Sequence, residues 1–394
     1  MKSKKTAKKK TKTKMAKNRK SIPDKVKLKI WNDSAGRCEF RGCNKPLWYN
    51  ELTFSDANFG ELAHIIGAKK GGPRGTDASE ELQTDPNNIM LLCTTCHNEI
   101  DEDNLQTLYP AELLREMKNE HEERIKSVTE ITHDCRTEVL VFKCNIDKRI
   151  VDVSVEEAKA TVLTEKYWMK GKGIMLDFTN GKGDGEKDFW DYNSKLIAEQ
   201  IGELKSKGLN ATGTNHLSVF ALAPMPLLMV LGKHLSDTSI NKIELFQRHR
   251  DTQNWKWKSS TTPLPNYIYR RPSFIEGEKE IVLVISLSDS IKPDKFPDHL
   301  RDNHHLYEIT IDTPNTLFLQ EKSQISEFER IYRIALNEIQ AVHGKDCVLH
   351  LIPAMPAPIA IKCGMTLLPK KDVKIKVYDF NKQFGGMREV LTLN

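Results

Sequence analysis

The chain has 394 residues, of which 39% are hydrophobic and 29% charged, with a formal net charge of +6; this length gives two or three domains with sizeable cores. No apolar run reaches a membrane span and the N-terminus lacks the apolar stretch of a secretory signal, so the expected setting is a reducing cytoplasm, with no membrane partner. In such a setting eight cysteines point to metal rather than disulfides wherever they lie close in sequence.

The charge is uneven. Residues 1–20 hold 11 Lys or Arg and no acid, which leaves a balance of −5 on the rest. Two readings stand for this stretch, taken as a disordered basic tail over 1–22. It is a solubilising end, or a polycation that holds DNA through counterion release without reading sequence. After it, Ser21-Ile22-Pro23-Asp24 reads as a helix start, with a proline in the first turn of a helix over 25–31. Residues 36–70 are β-prone around Phe40, Leu47 and Leu62, and 71–87 form a polar loop. Residues 111–128 make a charged helix with Leu113, Leu114 and Met117 on one side. A domain boundary falls near residue 130.

Beyond it, 138–144 and 149–153 read as a hairpin around Asn145-Ile146-Asp147, and 155–163 as a helix. Strand and helix then alternate, which predicts a mostly parallel sheet covered by helices. Strands are expected over 174–178, 217–222 and 243–246, with helices over 189–207 and 227–235. The same order recurs in strands over 281–285, 348–352 and 373–377 and helices over 325–342 and 359–365. Met225-Pro226 and Met355-Pro356 lie 130 residues apart, as do Ile243 and Val373. This offset suggests an internal duplication, against the alternative that two ordinary α/β segments look alike by chance.

Two short-spaced cysteine pairs, Cys38/Cys43 and Cys93/Cys96, match what tetrahedral zinc requires: four soft ligands from two chain segments, pinning a module too small to hold itself by burial. Cys135, Cys144, Cys347 and Cys363 lack such spacing and read as buried thiols. Phosphodiester hydrolysis needs a base for the attacking water and a cation at the leaving oxygen. His64 in Ala63-His64-Ile65, Asn88 before an apolar run, and His97 directly after the second cysteine pair supply groups of that kind. A strand pair followed by a helix would set all three on one face.

Residues 34–103 resemble the HNH endonuclease family in its four-cysteine zinc form. The resemblance rests on Gly36-Arg37-Cys38, Ala63-His64-Ile65, Asn88-Ile89 and Leu92-Cys93-Thr94-Thr95-Cys96-His97. It implies a ββα-metal fold in which His64 is the general base and Asn88 orients the loop or the base. His97 would then bind a catalytic Mg²⁺ or another divalent cation, with structural Zn²⁺ on Cys38, Cys43, Cys93 and Cys96. The family often has an Asp where Ala63 stands. Either His97 and another group suffice for the metal, or Glu61 or a nearby acid substitutes.

In the second region, ligands of open α/β sheets sit beyond the carboxyl ends of strands. That nominates 177–180, Pro224, Met225 and Pro226, the stretch 248–250 with Arg248 and Arg250, 286–290, and 353–356 with Met355 and Pro356. Arginine forks suit phosphate, and Trp255 and Trp257 offer flat faces for bases, or else fill a core. Residues 137–394, most clearly 217–257, resemble the SAVED domain, a sensor of two fused CARF-like units. The expected fold class is therefore an α+β zinc-containing HNH module over 23–130. It is followed by an α/β, duplicated, Rossmann-like SAVED domain over 131–394, with halves at about 137–270 and 271–394. The pairing is similar to the DNA-degrading effectors of CBASS anti-phage defence. It implies a non-specific double-stranded DNA endonuclease switched on by a cyclic di- or oligonucleotide from a partner synthase, with homo-oligomerisation on activation. The alternative is a restriction-type endonuclease whose second domain reads DNA sequence or modification. The acidic balance outside the tail weighs against it, since a DNA reader presents a basic face.

Overall fold

The computed structural model describes residues 20–50, 54–132, 134–147, 149–181, 183, 185–186, 188–206, 214–236, 242–259, 263–273, 277, 279–381 and 385–394. The basic tail up to residue 19 lies outside them. Residues 20–22, read as part of that tail, are bound to the first unit: the Lys20 backbone N–H donates to Gln83 Oε1 at 2.7 Å, and Ile22 packs on the unit's core. The chain divides into two compact units, Met1–Thr132 and His133–Asn394.

In the first unit, α1 (Asp24–Asp33) starts after Pro23 and buries Val26 and Ile30 at i, i+4 spacing. Short pieces β1 (Tyr49–Asn50) and β2 (Ser55–Asp56) pair antiparallel. The central pair is β3 (Gly60–His64) against β4 (Ile89–Cys93), antiparallel from Gly60↔Cys93 to His64↔Ile89. β4 is buried along its whole length and leads directly into α2 (Thr94–Asp101). The long helix α3 (Ala111–Thr129) lays Leu114 and Met117 on the same core. Its His121 donates from Nε2 to the Ser34 carbonyl at 3.0 Å, which ties it to the end of α1.

The second unit opens with β5 (Arg136–Lys143), buried on both faces from Thr137 to Phe142. The elements α4 (Val155–Thr164), β6 (Trp168–Met169), β7 (Ile174–Asp177), α5 (Phe189–Ser206), β8 (His216–Leu222), α6 (Met225–Ser236) and β9 (Lys242–Phe246) follow. The sheet order is β6-β5-β8-β9, with β7 also on β5, and every pairing is parallel. The hairpin expected from 138–144 and 149–153 does not form. A strand apolar on both faces is a central parallel strand, so β5 takes sheet neighbours on each side, and 149–153 becomes a loop beyond its carboxyl end.

The remaining elements are β10 (Ile268–Arg270), β11 (Glu280–Ser286), α7 (Asp298–Arg301), β12 (His304–Thr310), α8 (Lys322–His343), β13 (Val348–Ala354), α9 (Ala357–Thr366), β14 (Lys374–Asn381) and β15 (Gly386–Leu393). Their sheet runs β10-β12-β11-β13-β14-β15, parallel through its middle and antiparallel at both edges. The edge strands β10 and β15 and the strand β12 were not expected from the sequence.

The two sheets repeat one plan. The order β7-β5-β8-β9 matches β12-β11-β13-β14, and β8, α6 and β9 begin 132 residues before β13, α9 and β14, two more than the 130 read from the sequence. The matching helices α6 and α9 cross back to back. A Cβ on Gly232 would lie 1.9 Å from the Ile361 carbonyl oxygen, and one on Gly364 would lie 1.9 Å from that of Met229. The contact is reciprocal, as a two-fold requires, and only glycine allows backbones so close. Among the other cysteines, Cys144 and Cys363 are buried as expected. Cys135 and Cys347 are only half-buried, because each lies just before a strand rather than within it.

Candidate functional site

Cys38 and Cys43 flank a turn after α1, and Cys93 and Cys96 straddle the junction of β4 and α2. The structure brings the four sulfurs within 4.8 Å of one another. Cys43 Sγ and Cys93 Sγ are 4.0 Å apart. That is far too long for a disulfide and close to the edge of about 3.8 Å that four Zn–S bonds of about 2.3 Å would give. Backbone N–H groups already point at the sulfurs, Cys93 N–H to Cys38 Sγ at 3.3 Å and Cys96 N–H to Cys93 Sγ at 3.5 Å. Burial pushes the Cys38 thiol up to about 12, a cost that a bound cation removes. The donor set therefore fits zinc.

His64 ends β3. Its Nε2–H donates to the Gln83 carbonyl at 3.0 Å, which fixes the tautomer, since a carbonyl can only accept, and leaves the lone pair on Nδ1. Asn88 is buried and acts on the loop after His64. Its Oδ1 accepts from Ile66 N–H at 2.9 Å and its Nδ2 donates to the Ile66 carbonyl at 2.9 Å. His97 lies on α2 between two carboxylates, with Nδ1 at 2.5 Å from Glu61 Oε2 and Nε2 at 3.5 Å from Asp101 Oδ2. The Asp101 contact is the main cause that raises His97 above the usual imidazole range, and Glu61 adds to it. Burial alone would raise Asp101, but hydrogen bonds from His97 and Arg74 outweigh it and hold the acid low.

Sequence reasoning passed over three residues here. Gln83 holds His64, Asp101 faces His97 from one helical turn on, and Arg74 donates to Asp101 Oδ1 at 2.7 Å. The His97–Asp101 spacing of i, i+4 was a usable signal. Gln83 and Arg74 sit in a loop that reads only as polar.

The second unit contains a cavity of about 930 Å³ at the carboxyl ends of both sheets. Of the residues nominated from the sequence, Pro224, Met225, Arg248, Arg250, Met355 and Pro356 line it. The N-termini of α6 and α9 meet there, and the Met355 N–H donates to Met225 Sδ at 3.4 Å. Of the other nominated stretches, Ser288 and Asp289 reach it and 177–180 does not; there Asp177 binds Lys143 at 3.1 Å.

Three nominated residues do not line the cavity. Pro226 is buried in the first turn of α6. Trp255 is 1% exposed and packs edge-on against Phe220, so it has no free face for a base. It instead holds Glu157 through Nε1 at 3.4 Å, and Glu157 pairs with Arg248 at 3.1 Å. Trp257 packs between two hydrophobic clusters with its ring edge-on to His249. The cavity lining also carries Ile146, Ile150 and Phe380, which are exposed large apolar side chains, Ile150 by 86%. Arg149 also lines it, from the loop mistaken for a hairpin arm.

The family model described as "SMODS-associated and fused to various effectors sensor domain" matches residues 197–393, half of the chain. Among solved structures, the Acinetobacter baumannii Cap4 SAVED/CARF-domain containing receptor with the cyclic trinucleotide 3'3'3'-cAAA is 15% identical, with a TM-score of 0.44 over 81% of this chain and 67% of its own. The same receptor with 2'3'3'-cAAA is 14% identical, with a TM-score of 0.41 over 81% and 66%. The Moraxella osloensis Cap4 receptor is 14% identical, with a TM-score of 0.35 over 71% and 54%. The chain thus spans about two thirds of the length of the first two. No curated protein matches it. Among the described residues no helix is long and apolar enough to cross a membrane. With a doubled parallel sheet and the family match over its second half, this chain belongs to the SAVED family of sensor domains.

Proposed function

We propose that the chain is a metal-dependent DNA endonuclease switched on by a cyclic di- or oligonucleotide, acting as an abortive-infection effector of CBASS anti-phage defence. The observation that carries this reading is the cavity of about 930 Å³ in a chain whose other unit holds both the zinc-type cysteine cluster and His64. Two helix N-termini favour anions there. Arg149 and Arg250 line the cavity with no acidic partner among the described residues. Phosphates lie on these cations, and flat bases lie against Ile146, Ile150 and Phe380.

In the first unit, Nδ1 of His64 takes a proton from the attacking water as its oxygen bonds to phosphorus. The bond from phosphorus to the sugar oxygen breaks, and that oxygen leaves with a proton from solvent. His97 would help to hold a divalent cation such as Mg²⁺, which would supply positive charge for the leaving oxygen. Asn88 keeps the loop behind His64 in place. The reaction is at the phosphate, which is the same at every step of the duplex, so cutting is expected without sequence preference.

A nuclease free in a cell must be silent. The ligand therefore has to prefer an assembled, active state by about 5 kcal/mol to turn it from mostly off to mostly on. That state is a homo-oligomer, and a partner synthase makes the ligand. The test is plasmid digestion with Mg²⁺ and a panel of cyclic di- and trinucleotides, for the wild type and His64→Ala. Activity in the wild type only, with a ligand present, supports the reading. Cutting by His64→Ala at the wild-type rate removes His64 as the base, and cutting at fixed sites with no nucleotide points to the restriction-type alternative.

A further inference from the structure

The side chains around His97 form a closed ring that begins and ends on one strand. Glu61 of β3 meets His97 Nδ1 at 2.5 Å. Asp101, one turn on from His97, faces Nε2 at 3.5 Å. Arg74 binds Asp101 Oδ1 at 2.7 Å and also donates from Nε to the Ile65 carbonyl at 2.7 Å and from Nη1 to the Ile100 carbonyl at 2.6 Å. Ile65 directly follows His64, so the ring returns to the exit of β3. The Arg74 side chain is 7% exposed, and its backbone sits at φ 52°, a left-handed conformation that a bulky residue adopts only when its contacts require it.

The two carboxylates on His97 differ. Asp101 is fixed by an arginine that is itself fully engaged. Glu61 is about as exposed as Asp101 but has no arginine or lysine partner among the described residues. A histidine held through one ring nitrogen by an anchored carboxylate presents the other nitrogen to a cation. Oxygen and imidazole ligands together suit a hard or borderline divalent ion.

We propose that Arg74 is a positioning residue. It anchors Asp101 on His97 Nε2, so that His97 Nδ1 and the Glu61 carboxylate together form a divalent-cation site, with Glu61 serving where Ala63 has no ligand to offer. This rests on the nuclease reading for its purpose but not for its test. The three contacts of Arg74 also set the distance between the strand that carries His64 and the helix that carries His97.

The test is Mn²⁺ binding to the full chain, read by electron paramagnetic resonance of the free ion, with zinc content measured alongside. Mn²⁺ does not compete for a four-thiolate site, which prefers soft metals. Glu61→Gln and Arg74→Met are each expected to weaken Mn²⁺ binding about 10-fold to 100-fold while one zinc per chain is kept. If Arg74→Met loses zinc, Asp101→Asn tests the same link and should weaken Mn²⁺ similarly. Wild-type Mn²⁺ affinity in Glu61→Gln, or in a zinc-replete Arg74→Met or Asp101→Asn, overturns the proposal, as does a wild type that binds no Mn²⁺. Should these variants lose Mn²⁺ as expected while the wild type cuts no plasmid with any ligand, the site stands and the nuclease reading fails.

Discussion

Replacing Gly232 with alanine probes the doubled sensor where its two halves touch. In an ordinary helix this change stabilises by up to about 1 kcal/mol. Here the new methyl would lie 1.9 Å from the Ile361 carbonyl oxygen and 2.9 Å from its carbon. A carbon–oxygen contact needs more than about 3 Å, so α6 and α9 must separate by about 1 Å. Overpacking of this kind costs about 3 kcal/mol. With a urea slope of about 3 kcal/mol per molar for a unit of this size, the midpoint falls by about 1 M. Gly364→Ala strikes the same crossing from the other side, so its cost is expected to match. The double variant should lose only slightly more than either single one, a coupling of about 2 kcal/mol, because the crossing is already open. Urea melts followed by circular dichroism measure all four corners of the cycle. A stabilised Gly232→Ala, or two losses that simply add, would refute the reciprocal backbone contact.

Zinc should be present at one per chain by elemental analysis. Cys93→Ser is expected to release it and unfold the first unit while the second keeps its melt, since structural zinc contributes about 10 kcal/mol or more; a zinc-free Cys93→Ser with native N-terminal amide protection would contradict this. Burial pushes the His216 imidazole down to about 4, below its unfolded value of about 6.5. The unfolded chain therefore takes the proton first. Stability from this group is complete above about pH 6.5 and falls by about 3 kcal/mol as pH drops to about 4. His216→Gln should flatten that slope in melts across the window, and an unchanged slope would remove His216 as its source. Arg149→Ala and Arg250→Ala are each expected to weaken cyclic-nucleotide binding about 10-fold or more by calorimetry, as loss of a charged hydrogen bond does, whereas wild-type affinity in both would take the phosphates elsewhere.

The elements that could be read in advance were those with one clear period. α8 repeats its apolar residues at helical spacing from Ile325 to Ile339, and β8 and β13 are mostly apolar, buried runs that end just before Pro224 and Met355. The cysteine pairs were legible because metal geometry acts through short spacings. The 149–153 stretch misled because Val151 and Val153 are buried in a loop, and alternation looks the same whether a strand or a packed loop produces it. β10 and β15 lie at sheet edges, where burial leaves a weak pattern. Trp255 was misplaced for a related reason. A tryptophan beside arginines suggests a ligand face, but composition does not say which side of a strand end a ring takes, and here it supports Arg248 from within the core. Arg74 and Gln83 act through contacts that span 9 to 27 residues, and no local pattern marks them; Asp101 alone had one, at i+4 from His97.

The central proposal is that a cyclic nucleotide bound in the cavity of the second unit controls the cysteine-pinned module. It is tested most directly by plasmid cleavage with purified protein in Mg²⁺, with and without each cyclic nucleotide, alongside Arg250→Ala. The account predicts intact plasmid without ligand, rapid degradation with one of them, and a dose response shifted to higher ligand concentration in the variant. Equal degradation with and without every ligand, in wild type and variant alike, would contradict it.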